Sequence, residues 1–203
     1  MIPSLYVELV SFLKDILIGL SALTAAIIGI IGLRQWRAEL KGKTKFETAR
    51  KLALLSFEFR DKFKSARAPL TFASESAQRQ KGDNETPEEA QLLDEYFARE
   101  KRLKPLQETL KKLNIANWEA EIILNENNLI QSLNDAFITL LASTHTYFDT
   151  KIKQVRSPLR GPVQEEAWLQ SHHKIIYGIE DEFSQSIDDA VNTLTQKLRR
   201  YIK

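Results

Sequence analysis

Cysteine is absent from this 203-residue chain, and glycine and proline are scarce, at seven and six residues. Without cysteine the chain can form no disulfide, no thiolate nucleophile and no cysteine-ligated zinc or iron–sulfur centre. The scarcity of glycine and proline favours long helices over a fold of short strands and turns. The net charge is only +2, so the surface as a whole lacks the positive excess of a nucleic-acid-binding protein, and we expect no specific nucleic-acid partner.

The sequence also lacks the residue patterns that usually carry catalysis. The tripeptide GKT at 42–44 has no upstream glycine and continues a helical pattern, whereas a phosphate-binding loop follows a strand. Of the three histidines, His172 and His173 are adjacent and would point about 100° apart on a helix, so they cannot readily share one metal ion. His145 and Asp149 lie one turn apart and could pair, but a surface histidine on a helix is the simpler interpretation. We therefore predict no catalytic residue, no metal site and no cofactor.

One long apolar run is present, from Ile16 to Leu33, and it carries no charged residue over eighteen positions, "ILIGLSALTAAIIGIIGL". As a helix it would be roughly 27 Å long, close to a hydrocarbon core about 30 Å thick. A buried helix of a globular protein is one alternative, although such helices rarely stay apolar on every face over this length. A cleaved signal peptide is another, but its first region should be basic, whereas both acidic and basic residues precede this run. We predict that residues 1–33 form an N-terminal segment and a transmembrane anchor.

A basic segment that contains a tryptophan follows the apolar run directly. Its predicted membrane-interface residues are Arg34, Trp36, Arg37, Lys41, Lys43 and Lys45. Tryptophan is favoured at the headgroup level, and lysine side chains can reach anionic headgroups. Because positive residues mark the cytoplasmic side of a span, we expect residues 34–203 to lie in the cytoplasm, with the anchor in a bacterial inner membrane.

Small residues recur inside the apolar run at spacings of three and four, which places them on one helical stripe: Ala22, Ala25, Gly29 and Gly32. Such a stripe allows close approach of two helix backbones in lipid. Two interpretations remain open. The residues reflect the ordinary composition of transmembrane helices, or they form a packing face that makes the protein a homo-oligomer.

Residues 34–203 are predicted to form an all-α domain, an antiparallel bundle of about four long helices. Apolar residues recur with helical spacing over 34–68, again from Pro87 onward, over 128–155 and over 163–201. The segment 71–86 is polar and aperiodic, which predicts a loop.

Local signals refine this assignment. Thr86, Pro87 and Glu89 together predict the start of the second long helix. The asparagine-rich segment 114–128 is expected to hold a short separate helical piece between turns. An acidic group is expected to lie in the middle of the last helix, where it could face the basic first helix: Glu180, Asp181, Glu182, Asp188 and Asp189.

Four stretches resemble an uncharacterised family of bacterial single-pass membrane proteins with a cytoplasmic helical domain: "RQWRAELKGKTKFETARKL", "RDKFKSARAPL", "EYFAREKRLKPLQE" and "NWEAEIIL". The resemblance covers most of residues 30–125. It implies an anchored helical architecture in a bacterial inner membrane, and it implies no activity.

These observations predict a membrane-anchored, non-enzymatic interaction or scaffold module that self-associates through its transmembrane helix. The expected partners are the lipid bilayer, a second copy of the chain and an unknown protein partner. The alternative is a membrane-perturbing or pore-forming effector, for example in antiviral defence, in which several anchors with small-residue faces assemble into a pore. An enzyme is the third class.

Overall fold

The computed structural model of the chain describes residues 4–157, 163–178 and 180–202. All regular structure in these ranges is helical, which confirms the predicted all-α class and the long apolar N-terminal helix. The helices are α1 (Ser4–Arg67), α2 (Ala73–Ser76), α3 (Pro87–Leu124), α4 (Gln131–Arg156), α5 (Val163–Ile176) and α6 (Glu182–Ile202). The chain divides into two compact units, an N-terminal unit (Met1–Lys45) and a C-terminal unit (Phe46–Lys203), with the boundary inside α1.

The N-terminal unit consists of the first part of α1. Its most apolar 18-residue window has a mean hydropathy of 2.5, and none of that window is buried. Among the described residues, this helix is long and apolar enough to cross a membrane. The hydroxyls of Ser21 and Thr24 each donate a 2.8 Å hydrogen bond to the carbonyl four residues earlier. These polar side chains are therefore satisfied within the helix, as an apolar environment requires.

The core of the C-terminal unit is built from one face of each of four helices. The end of α1, the middle of α3, α4 and α6 all contribute buried side chains at spacings of three and four, among them Phe59, Phe63, Leu106, Leu113, Leu140, Val191 and Leu198. Removing one such side chain from water stabilises the fold by about 1.5–3 kcal/mol before entropic costs. The apolar residues that recur at helical spacing in the sequence are therefore the residues that pack in the core.

The start of α3 lies where Thr86 and Pro87 predict it, but the Glu89 carboxylate binds Arg156 instead of completing a capping box with Thr86. The Thr86 hydroxyl accepts a 3.2 Å hydrogen bond from the backbone N–H of Glu89, and Pro87 occupies the first turn. The separate helical piece predicted within 114–128 is wrong, because α3 continues unbroken to Leu124. The asparagines there do not form turns: the amide of Asn114 donates to the Leu110 carbonyl at 3.0 Å within the helix.

The single last helix predicted for 163–201 is also wrong, because α5 and α6 are separate. The backbone N–H of Gly178 donates a 3.2 Å hydrogen bond to the carbonyl of Arg67. A Cβ at Gly178 would lie 2.9 Å from the Arg67 guanidinium. Asp181 then begins α6 by accepting a 2.9 Å bond from the N–H of Ser184. Asp181 was expected in the middle of a helix, but it caps the start of α6. Its side chain faces α1, as expected for the acidic group.

The segment 71–86, predicted as a polar loop, contains the short helix α2 and is organised around Arg79. The Arg79 guanidinium binds both carboxylate oxygens of Glu85, at 2.8 and 2.7 Å, and Asp94 of α3 at 2.5 Å. Hydrogen bonds from Arg79 and from the backbone N–H of Gly82 lower the pKa of Glu85 to about 2. These contacts tie the segment to α3.

Candidate membrane interface and buried polar clusters

The predicted interface residues lie on the last three turns of the N-terminal unit, and all six are exposed: Arg34, Trp36, Arg37, Lys41, Lys43 and Lys45. At 100° per residue, Arg34, Arg37, Lys41 and Lys45 fall within an arc of about 80°, while Lys43 and Trp36 lie on the opposite side of the helix. A headgroup layer surrounds a spanning helix on all sides, so side chains on either face can reach it, and we call these six residues the basic collar.

The small-residue stripe of Ala22, Ala25, Gly29 and Gly32 is likewise exposed on α1. A Cβ added at Gly29 or Gly32 would meet no atom of the described residues within 4 Å. The packing of the described chain therefore gives no reason for glycine at these positions, and the stripe is open to another helix.

Sequence reasoning missed a buried arginine centre at the end of α1. Arg67 is fully buried, and its guanidinium donates to the Ile175 carbonyl at 2.7 Å and to the Lys174 carbonyl at 2.9 Å. It also forms a two-point contact with the Asp181 carboxylate, at 2.7 and 2.5 Å, and donates to the hydroxyl of Ser184. The Arg67 guanidinium holds the pKa of Asp181 well below its usual range. This centre joins α1 to the junction between α5 and α6.

Two further arginines, from α3, bind the backbone where α1 ends. Arg99 donates to the carbonyls of Ala66, Ala68 and Pro69, at 3.1, 2.6 and 3.1 Å. Arg102 donates to the Ala68 carbonyl at 2.8 Å. The last carbonyls of a helix lack intrahelical donors and carry the negative end of its dipole, so cationic side chains stabilise this end. No sequence signal distinguishes these two arginines from solvated ones on the same helix.

A cluster of aromatic and titratable side chains links the residue after α5 to α3. The Tyr177 hydroxyl donates to Glu95 at 2.6 Å, and the rings of His173 and Tyr177 are 4.3 Å apart. The guanidinium carbon of Arg99 lies 4.3 Å from the Tyr177 ring centroid. Burial raises the pKa of Tyr177 and lowers the pKa of His173. Both shifts favour the uncharged forms near neutral pH, which suits packing more than proton transfer.

The other histidines form local contacts. The Nδ1 of His145 lies 2.5 Å from the Tyr96 hydroxyl, while Asp149 pairs with Lys153. The possible pairing of His145 with Asp149 is therefore not formed. Desolvation raises the pKa of Tyr96 to about 12. Within residues 4–157, 163–178 and 180–202, no group of three histidine, aspartate or glutamate side chains is placed to hold a metal ion.

An open cavity of about 630 Å³ lies between the segment around α2 and the first turns of α3. Its lining includes Phe72, Lys81, Asp94 and Glu95. Both carboxylates are already engaged, Asp94 by Arg79 and Glu95 by the Tyr177 hydroxyl. The polar groups of the cavity thus serve the packing of the unit.

The resemblance to bacterial single-pass membrane proteins stays a prediction. Comparison with protein-family models, with curated proteins and with solved structures found no significant match to this chain.

Proposed function

We propose that this chain is a single-pass protein of a bacterial inner membrane, of the family that its motifs resemble, whose C-terminal unit is a cytoplasmic, non-enzymatic interaction or scaffold module. One observation carries the proposal: an apolar stretch of α1 with no buried residue leads directly into an exposed basic collar. Each large apolar side chain left in water costs about 1.5–3 kcal/mol relative to burial. A run of this length needs an apolar environment, and lipid supplies one.

The contacts within the C-terminal unit support an antiparallel bundle. In successive contacts between two neighbouring helices, the residue number rises on one helix and falls on the other. This holds for Lys51–Glu119 and Lys62–Thr109 between α1 and α3, for Asn114–Asn134 and Glu89–Arg156 between α3 and α4, and for Lys64–Asp188 and Arg67–Ser184 between α1 and α6.

The scaffold role is supported by polar groups of the C-terminal unit that bind other parts of the same unit. Arg67, Arg99 and Arg102 bind helix ends, and Glu95 and Asp94 bind Tyr177 and Arg79. These groups fix helices against one another, and this includes Asp94 and Glu95, which line the open cavity but are already bonded within the unit. The open glycine stripe supports self-association through the anchor.

The anchor and its orientation are tested by extraction and proteolysis. The full-length chain should stay with the membrane pellet after alkaline carbonate washing. Protease added to right-side-out spheroplasts should spare the C-terminal unit, and protease added to inverted vesicles should digest it. Release by carbonate would contradict the anchor, and the opposite protease pattern would reverse the topology.

Self-association through the anchor is tested by amine crosslinking of the lysines in the basic collar. Gly29→Leu should reduce the covalent dimer several-fold, because it fills the open stripe. Thr24→Leu is the matched control, since Thr24 lies about 140° around the helix from Gly29. Equal dimer yields in the two variants would remove the proposed packing face.

A further inference from the structure

Four large apolar side chains are exposed on the outside of the C-terminal unit. Leu54 of α1 is 56% exposed, and on α3 Ile115 is 50%, Trp118 60% and Ile122 85% exposed. The three residues on α3 recur at spacings of three and four, so they form one continuous stripe. Single exposed apolar residues are ordinary on a protein surface, whereas a stripe that includes tryptophan marks an interaction site. We call these four residues the outer patch.

The outer patch surrounds an ion pair that links its two helices. The Lys51 ammonium lies 2.9 Å from the Glu119 carboxylate, and both side chains remain partly exposed. Leu54 follows Lys51 by three residues, while Ile115, Trp118 and Ile122 flank Glu119. The neighbouring residues that face the core are small or apolar and fully buried, including Leu52, Ala116 and Ala120. The outer patch therefore lies on the side of α1 and α3 that points away from the core.

We propose that the outer patch docks against the same patch of a second copy of the chain. This adds a cytoplasmic contact to the proposed self-association, and it rests on that proposal for the high local concentration of copies. The charge pattern fits a two-fold arrangement, with the positive charge at Lys51 on α1 and the negative charge at Glu119 on α3. A two-fold axis between the copies places α1 of each over α3 of the other, so that each Lys51 approaches the Glu119 across the interface.

The size of the patch fits a contact between tethered copies. The four side chains expose roughly 400 Å² of apolar surface per copy, which is about 800 Å² for a pair and below the ~1,200 Å² typical of stable interfaces. Two such units free in dilute solution would associate weakly. Copies anchored in one bilayer meet at a much higher effective concentration, so a contact of this size suffices. The ion pair at its centre is neutral overall and gives the patch no excess positive charge for an anionic lipid surface.

The absence of cysteine permits a direct test in the full-length protein in native membranes. Trp118→Cys and Ile122→Cys are treated with a short bismaleimide. Ile138→Cys is the matched control, because Ile138 is 60% exposed but lies on α4. We expect at least about fivefold more covalent dimer from the patch positions than from the control. Equal yields at all three positions, or no dimer at any of them, would overturn the proposal.

A second comparison separates this contact from the one in the anchor. Adding Leu54→Ala to Ile122→Cys should lower the bismaleimide dimer several-fold, while amine crosslinking of the collar lysines persists. An Ile122→Cys dimer that is undiminished by Leu54→Ala refutes the outer patch. A collar dimer that is missing from the protein without Leu54→Ala, while Ile122→Cys still crosslinks, refutes only the anchor contact. A fluorophore on Trp118→Cys that is quenched by nitroxide-labelled lipids would show that the patch lies on the bilayer, and that result also overturns the proposal.

Discussion

Replacing Arg67 by alanine removes the buried cation that joins α1 to the start of α6. Breaking a buried ion pair by deleting one partner costs about 3–5 kcal/mol. Here the lower end of that range applies, because the Asp181 side chain is 35% exposed and can be hydrated once its partner is lost. The carbonyls of Lys174 and Ile175 also lose their donor in this variant. We therefore expect a loss of about 3 kcal/mol in the free energy of unfolding, or roughly 6–12 °C in melting temperature.

The same substitution should change the acid sensitivity of the C-terminal unit. Arg67 lowers the pKa of Asp181 in the folded state below the unfolded value. The stabilisation from the ionised carboxylate is therefore fully present above the unfolded pKa, near 3.8, and is lost as the pH falls through the folded pKa. In Arg67→Ala this contribution is reduced to that of the hydrogen bonds from Ser184, so stability should fall less steeply below about pH 4 than in the unsubstituted protein.

The assay is denaturant unfolding of the full-length protein in detergent, followed by circular dichroism. Arg60→Ala serves as control, because the Arg60 side chain is partly exposed and contacts its neighbour Asp61 at 2.9 Å and the partly exposed Asp188 of α6 only at 3.9 Å. Surface pairs of this kind contribute about 0–1 kcal/mol. Arg67→Lys should fall between the two, since lysine keeps the charge but not the two-point contact. If Arg67→Ala is no less stable than Arg60→Ala, the reasoning about the buried centre is wrong.

Three further substitutions or measurements test other parts of the chain. Thr86→Ala removes the cap of α3 and should cost about 1 kcal/mol in the free energy of unfolding, whereas Thr86→Ser should be nearly neutral. Asn125 ends α3 with a φ of 59°, so Asn125→Val should cost about 1–3 kcal/mol in the same assay while Asn125→Gly is tolerated. Expression of the full chain should leave the membrane potential unchanged; a collapse that Gly29→Leu abolishes would favour the pore-forming alternative over the scaffold.

The features that could be predicted from sequence are those set by neighbours along the chain. The end of the first helix near residue 68, the cap at Thr86 and the helix over 128–155 all follow from periodicity and from residue types within a few positions. Such signals depend only on nearby residues, so they act in the same way whatever the fold of the rest of the chain.

The features that sequence reasoning missed depend on contacts between distant residues. At the break before α6, Asp181 is bound by Arg67, which lies 114 positions earlier in the chain. Asn114 and Asn117 resembled turn residues, yet their amides bond within the helix, to the Leu110 carbonyl and the Glu121 carboxylate. Trp118 and Ile122 lie on the outer side of α3, and this face could not be assigned while residues 114–128 were taken for a separate helical piece. Exposure is a property of the assembled helices.

The boundary between the two units falls inside α1, and this has a consequence for any attempt to separate them. The last part of α1 supplies Leu52, Phe59 and Phe63 to the core of the C-terminal unit, and all three are fully buried. Losing them removes roughly 5–9 kcal/mol of burial, comparable to the whole stability of a domain at 5–15 kcal/mol.

A fragment of residues 34–203 or 46–203 should therefore remain helical and unfold cooperatively in urea, while a fragment of residues 68–203 should not. The shorter fragment also lacks Arg67, so the junction between α5 and α6 loses its buried cation as well. Cooperative unfolding of residues 68–203 would mean that α1 only lies against a core that is complete without it. Failure of residues 46–203 to fold would instead mean that the C-terminal unit needs the anchor for more than attachment.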